Sequence, residues 1–188
     1  MLYRVWRWSA RKLLGPMLRL ALLRHAKSSW DDSNLDDFDR PLNARGLQAA
    51  PVMGAMLASL NFSPDFILCS PAERTRQTLK CIEPGFRNSK PRVSYDKDLF
   101  LASAADLLAQ LRRVEPEHAS VLMIGHNPGM HALAKKLAVT GDANQIARLD
   151  AKFPTASLAV YAFLQPDWQS LDTTTGSLEA FITPKDRA

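Results

Sequence analysis

Leu18-Arg19-Leu20-Ala21-Leu22-Leu23-Arg24-His25 is the stretch on which the fold turns. Residues 18–23 are almost unbroken in apolar character and read as a strand buried on both faces. Such strands belong to sheets covered by helices. This one ends by delivering an Arg–His pair into a loop. Two later apolar runs, 65–69 and 120–125, end in the same way. The first runs into Ser70-Pro71-Ala72-Glu73-Arg74 and the second into Gly125-His126-Asn127-Pro128-Gly129.

Between these runs the apolar period changes to that of helices. Helices are expected over 45–60, 72–82, 104–114 and 130–139. Asn43 is a candidate N-cap, and Leu47, Ala50, Met53, Met56, Leu57 and Leu60 share one broad face. A third strand is expected over 92–95. Late strands at 156–163 and 177–182 form a hairpin or flank the sheet edge. The alternation predicts an α/β class, a three-layer α/β/α sandwich with a mainly parallel central sheet. Ligands of such sheets sit at the carboxyl ends of the strands. His25, Ser70 to Arg74, Asp98 and His126 all fall just past expected strand ends.

At 188 residues the chain is expected to form one domain, 17–188, behind a basic extension, 1–16. A hydrophobic content of 46% and a charged content of 23% are those of a globular protein. No apolar run approaches the roughly 20 residues that span a bilayer, so stable membrane insertion is not expected. The net charge of +5 is local. Residues 1–30 hold seven of the 24 Lys and Arg and no acid, leaving 17 bases against 19 acids elsewhere. No basic stripe with interleaved aromatics points to nucleic acid. Cys69 and Cys81 are too few for a disulfide scaffold, and a cytoplasmic setting is expected. The extension, with Arg4, Arg7, Arg11 and Lys12, reads as a tail or an upstream start, Met17 standing just before the first strand. An amphipathic segment touching a membrane or partner, or a targeting sequence, are the alternatives.

The chemistry of the three loops is that of an oxyanion site. A neutral imidazole at His25 can attack phosphorus through a ring nitrogen that keeps its lone pair. Arg24 and Arg74 nearby disfavour its protonation. Its other nitrogen must donate to an acceptor such as a backbone carbonyl. Arg74 offers a planar fork for two phosphate oxygens, close to the N–H groups of a helix start. His126 can donate to the phosphoryl oxygens, and Gly125 and Gly129 would let backbone approach a ligand. Arg76 reads as a surface charge, His118 as exposed and His131 as structural. Asp31, Asp32, Asp36, Asp37 and Asp39 read as a solvated acidic loop, with repulsion of anions or pairing with a basic partner as alternatives.

These motifs resemble those of the histidine phosphatase, or phosphoglycerate-mutase-like, superfamily. The closest likeness is to its small SixA-type phosphohistidine phosphatases. Leu22-Leu23-Arg24-His25-Ala26-Lys27-Ser28-Ser29-Trp30 is similar to that group's Arg-His signature. Arg40-Pro41-Leu42-Asn43-Ala44-Arg45-Gly46, Ser70 to Arg74 and Gly125 to Gly129 follow in family order. The resemblance implies the phosphoglycerate-mutase-like fold and a phosphatase that carries the phosphoryl group on His25. Arg24, Arg74 and His126 would be catalytic and phosphate-binding, Arg40 a fourth phosphate contact and Asp98 the proton donor. No metal and no cofactor are implied, and the sequence has no His-Glu-x-x-His spacing. The substrate would be a phosphorylated protein, with protein phosphohistidine first, or a small phosphorylated molecule, with inorganic phosphate as product. A small-molecule phosphomonoesterase and a non-catalytic phosphoprotein-binding module are the alternatives. Without a long insertion, the site should be shallow.

Overall fold

The structure, a computed structural model, describes residues 17–86 and 89–187. The extension 1–16 lies outside the described residues. Alternation within β1 (Leu18–Arg24) sets the layers. Leu18, Leu20 and Leu22 enter one apolar cluster, Ala21 and Leu23 another. A strand buried on both faces needs a helical layer on each. α1 (Ala44–Ser59) and α2 (Glu73–Ile82) pack on the Ala21 and Leu23 face through Met53, Leu57, Leu79 and Ile82. α3 (Ala104–Leu111), α4 (Gly129–Leu137) and α5 (Ala143–Ala151) cover the other through Leu107, Leu111, Leu133 and Leu149.

The remaining strands are β2 (Phe66–Cys69), β3 (Arg92–Tyr95), β4 (Ser120–Gly125), β5 (Thr140–Gly141), β6 (Leu158–Phe163) and β7 (Ser177–Ile182). They join β1 in one sheet of order β3-β2-β4-β1-β6-β7-β5. β3, β2, β4 and β1 are parallel neighbours. β6 is antiparallel to both β1 and β7, and β5 is parallel to β7, so β6 alone runs against the rest. The expected mainly parallel α/β/α sandwich is the observed architecture. The two late strands pair with each other, and β6 lies directly beside β1.

Asn43 caps α1, its side chain accepting from the Gly46 N–H at 3.0 Å. Leu47 departs from the expected buried face and is 49% exposed. The first turn of α1 lies over the loop after His25, where an added Cβ on Gly46 would come 2.2 Å from the Lys27 carbonyl oxygen. α3 and α4 end at Leu111 and Leu137, short of their expected ends at 114 and 139. α5 lies outside the expected helices, because Leu149 is its one buried residue and Ile146 and Leu149 are the only large apolar side chains among its nine residues. His118 is half-buried rather than exposed. Its ring packs on Phe66 at 4.7 Å, and its carbonyl accepts from Trp168 Nε1 at 2.6 Å. No described helix is long and apolar enough to cross a membrane.

Candidate active site

The carboxyl ends of β1, β2 and β4 meet at an open cleft of about 230 Å³. Arg24, His25, Arg74 and His126 line it together, with Lys27 and Asp37. His25 is 7% exposed, and its backbone N–H donates to the Gly125 carbonyl at 3.1 Å. Its Nδ1 lies 2.7 Å from the Ala26 carbonyl oxygen. A carbonyl only accepts, so the proton sits on Nδ1 and the lone pair on Nε2. Burial, reinforced by Arg74 and Arg24 and opposed by the Ala26 carbonyl, lowers His25 to about 4. The imidazole is therefore neutral at pH 7. The following turn is anchored to α2: Ala26 N–H donates to Thr78 Oγ1 at 3.0 Å, and Thr78 donates to the Arg74 carbonyl at 2.6 Å.

His126 is 2% exposed, with its ring centroid 5.1 Å from that of His25. Burial, the positive charge that His25 takes up in acid and the charge of Arg74 lower it to about 3. Its Nε2 is 2.8 Å from Ser70 Oγ, an oxygen that also faces the Ala72 N–H at 3.5 Å. With the Ser70 hydroxyl donating to Nε2, Nδ1 carries the proton. That Nδ1 is buried and bonded to no protein group among the described residues. Arg24 Nε is in the same condition, while Arg24 Nη1 donates to the Phe153 carbonyl at 2.9 Å. Burial and the neighbouring Arg74 press Arg24 below its ordinary value, but a guanidinium stays charged at any working pH.

Arg74 is held by one residue of the acidic loop. Its Nη1 donates to the Asp37 carbonyl and its Nη2 to the Asp37 carboxylate at 2.9 Å. The end of the guanidinium is thus occupied, leaving its Nε side for an oxyanion. Arg40 also grips Asp37, at 2.7 Å. Burial alone would raise Asp37, but Arg40 and Arg74 outweigh it and hold the carboxyl below its ordinary value. Asp37 is therefore no member of a merely solvated loop. The other donors of Arg40 reach the Ser29 carbonyl at 2.8 Å and Ser28 Oγ at 3.0 Å, and its plane lies over Trp30. Arg40 borders the cleft as a brace of the loop rather than as a free cation.

Three further sequence-based readings change. Asp98, the expected proton donor, is exposed and absent from the cleft. Its carboxylate faces the Gln110 amide at 3.5 Å. The turn after β3 does reach the cleft, through Leu101 and through Phe100, whose ring is 5.2 Å from that of His126, but the Asp98 carboxylate is turned toward Gln110 of α3 instead. The first N–H of α2 donates to the Phe38 carbonyl at 3.0 Å, so that helix start serves the acidic loop. The glycines that end β4 and open α4 serve packing rather than ligand approach. A Cβ on Gly129 would fall 1.9 Å from the Ala102 carbonyl oxygen, and Gly125 faces Met130.

Arg76 is exposed near Tyr95, and His131 is held by the Leu149 carbonyl at 2.7 Å. Burial pushes the Cys69 thiol up to about 12, which leaves it inert. Sequence reasoning missed Thr78, the Phe153 carbonyl and Thr155, a cleft residue from the loop between α5 and β6. Glu115, Glu117 and His118 form a grouping of metal-capable side chains. It precedes β4, at the end of the sheet away from the cleft.

Residues 20–99 match the model of the histidine phosphatase superfamily, branch 1. The chain is 33% identical over 165 residues to an uncharacterized protein of Mycobacterium tuberculosis, covering 87% of this chain and all of that one. Two solved structures assigned as phosphohistidine phosphatase SixA are similar to it. The one from Agrobacterium tumefaciens is 30% identical with a TM-score of 0.73, covering 89% of this chain and 98% of that one. The one from Nakamurella multipartitia is 27% identical with a TM-score of 0.76, covering 89% and 96%.

Proposed function

The chain belongs to the histidine phosphatase superfamily, whose members are phosphatases, and from that premise we propose that it hydrolyses protein phosphohistidine through a phosphoryl group carried on His25 Nε2. One observation carries the substrate choice: the cleft offers a neutral nucleophile and several cations but no protonated acid. Asp37 is the one carboxylate among the described cleft residues, and its two arginine partners keep it ionised. Without an acid to protonate the leaving group, good leaving groups are favoured. A phosphoramidate needs that proton less than an alkyl phosphate does. The openness of the cleft also lets a protein side chain reach His25.

In this reading Nε2 attacks phosphorus as the bond from phosphorus to the substrate imidazole breaks. The leaving imidazole keeps the electron pair and takes a proton from solvent. Arg24, the Nε side of Arg74 and His126 Nδ1–H meet the phosphoryl oxygens, where negative charge is concentrated. Water then attacks the phosphoryl group on His25, the bond from phosphorus to Nε2 breaks, and inorganic phosphate leaves. The guanidinium groups supply the positive charge, so the scheme uses no metal.

Brief incubation with a ³²P-labelled phosphohistidine protein, quenched in alkali, should leave label on His25. Label on Ser70 or Cys69 would reject the mechanism. Measured side by side, kcat/KM should rank protein phosphohistidine and aryl phosphates above sugar phosphates and phosphoglycerate. Faster turnover of a sugar phosphate would move the substrate to the small-molecule class.

A further inference from the structure

A second hollow, of about 620 Å³, opens next to the cleft, between α1, α5 and the chain after β7. Lys27 and Thr155 border both cavities, so the two are adjacent. The volume is that of an organic ligand or a short peptide segment rather than of a lone phosphate. Five cations surround it: Lys27, Arg45, Arg148, Lys152 and Lys185. Its one acid, Asp186, is already paired with Arg148. The other four cations have no ion-pair partner among the described residues. The floor is apolar, with Ala49, Pro154 and Phe181. The 1–16 extension carries only positive charges and does not complement such a surface.

We propose that this hollow is a second subsite of the substrate, which takes an acidic side chain flanking the phosphohistidine while the phosphoryl group lies against His25. The proposal rests on the protein-phosphohistidine reading for its ligand. The unpaired cations attract the carboxylate, and the apolar floor accepts the methylene groups that carry it. A carboxylate on a small phosphorylated molecule offers the same chemistry, and the test separates the two sources.

Two phosphohistidine peptides differing only in flanking Glu or Gln are compared with two aryl phosphates differing only in a carboxylate substituent. The wild-type protein should favour the Glu peptide in kcat/KM by roughly three- to tenfold, chiefly through KM, from a few exposed charge contacts. Lys152→Glu with Lys185→Glu should erase or invert that preference. A wild-type ratio within about twofold, or a preference unchanged in the double variant, overturns the subsite. If the aryl phosphates are turned over and neither peptide is, the phosphohistidine reading fails by itself. The carboxylated-to-plain aryl phosphate ratio then decides the subsite. A preference lost in the double variant keeps it for small molecules, and a ratio near one overturns it.

Discussion

Acidification should destabilise the protein through His25 and His126. The fold holds them at about 4 and about 3, against roughly 6.5 for histidine in an unfolded chain. Between pH 6.5 and 4 the unfolded chain binds two protons that the folded one does not. Folding stability is therefore complete above pH 6.5 and declines as pH falls through this window. Both folded values lie a unit or more below pH 5. At that pH, relative to pH 7.5, each histidine removes about 2 kcal/mol, and the pair about 4 kcal/mol. Single domains have roughly 5–15 kcal/mol in total. With a urea m-value of about 2 kcal/mol/M the midpoint should fall by about 2 M. The assay is urea unfolding in phosphate-free buffer at pH 7.5, 6.0 and 5.0, on the wild type and on His25→Asn with His126→Asn. The double variant lacks both titrating groups, so its stability should decline by about 4 kcal/mol less. Equal declines in the two proteins would refute the buried, neutral pair.

Three further outcomes are expected. Arg74→Ala should lower kcat/KM by roughly 10²–10³, and Arg74→Lys should recover only part of it, because the charge returns without the fork; full activity in the Lys variant would contradict the assigned geometry. Asp37→Asn keeps an acceptor for both arginines and removes a negative charge from the cleft, so inhibition by inorganic phosphate should tighten by roughly three- to tenfold; weaker inhibition would mean that the carboxylate organises Arg74 rather than competing with the anion. Gly46→Ala gains about 1 kcal/mol of helix propensity but forces a Cβ against the Lys27 carbonyl, and overpacking of about 1–3 kcal/mol should prevail. A variant with a higher urea midpoint than the wild type would refute that contact.

The parts of the site legible in the sequence are those set by local pattern. Apolar runs ending in Arg24-His25, Ser70 to Arg74 and Gly125-His126 place those residues at strand ends, and neighbouring strands bring them together. Asp98 satisfied the same local rule. Its turn approaches the site through Phe100 and Leu101, but the carboxylate is directed to Gln110 of α3, a tertiary contact that no local pattern encodes. The clamps were hidden for a related reason. Arg24 meets the Phe153 carbonyl, and Ala26 meets Thr78, across long stretches of chain. Five aspartates in one loop look alike in sequence, and only the fold singles out Asp37 as the partner of Arg40 and Arg74. Gly125 and Gly129 read in the sequence as places where backbone approaches a ligand, but a glycine does not announce whether ligand or protein presses on it, and here it is Met130 and the Ala102 carbonyl.

The place of β1 in the sheet has a consequence during synthesis. Arg19 pairs with Ser120 on one edge, and Leu18 with Phe163 on the other. At about 5–20 residues per second, a ribosome needs on the order of ten seconds to travel from the first strand to the last of these partners. Until β4 has been made, this apolar segment has both hydrogen-bonding edges bare, and the edge that β6 will cover stays bare to the end of the interval, the kind of edge that pairs with other chains. Arg24 also waits, since the carbonyl that holds it comes from Phe153. The nascent polypeptide thus bears its nucleophile early and acquires the frame that aims it only near the end of translation.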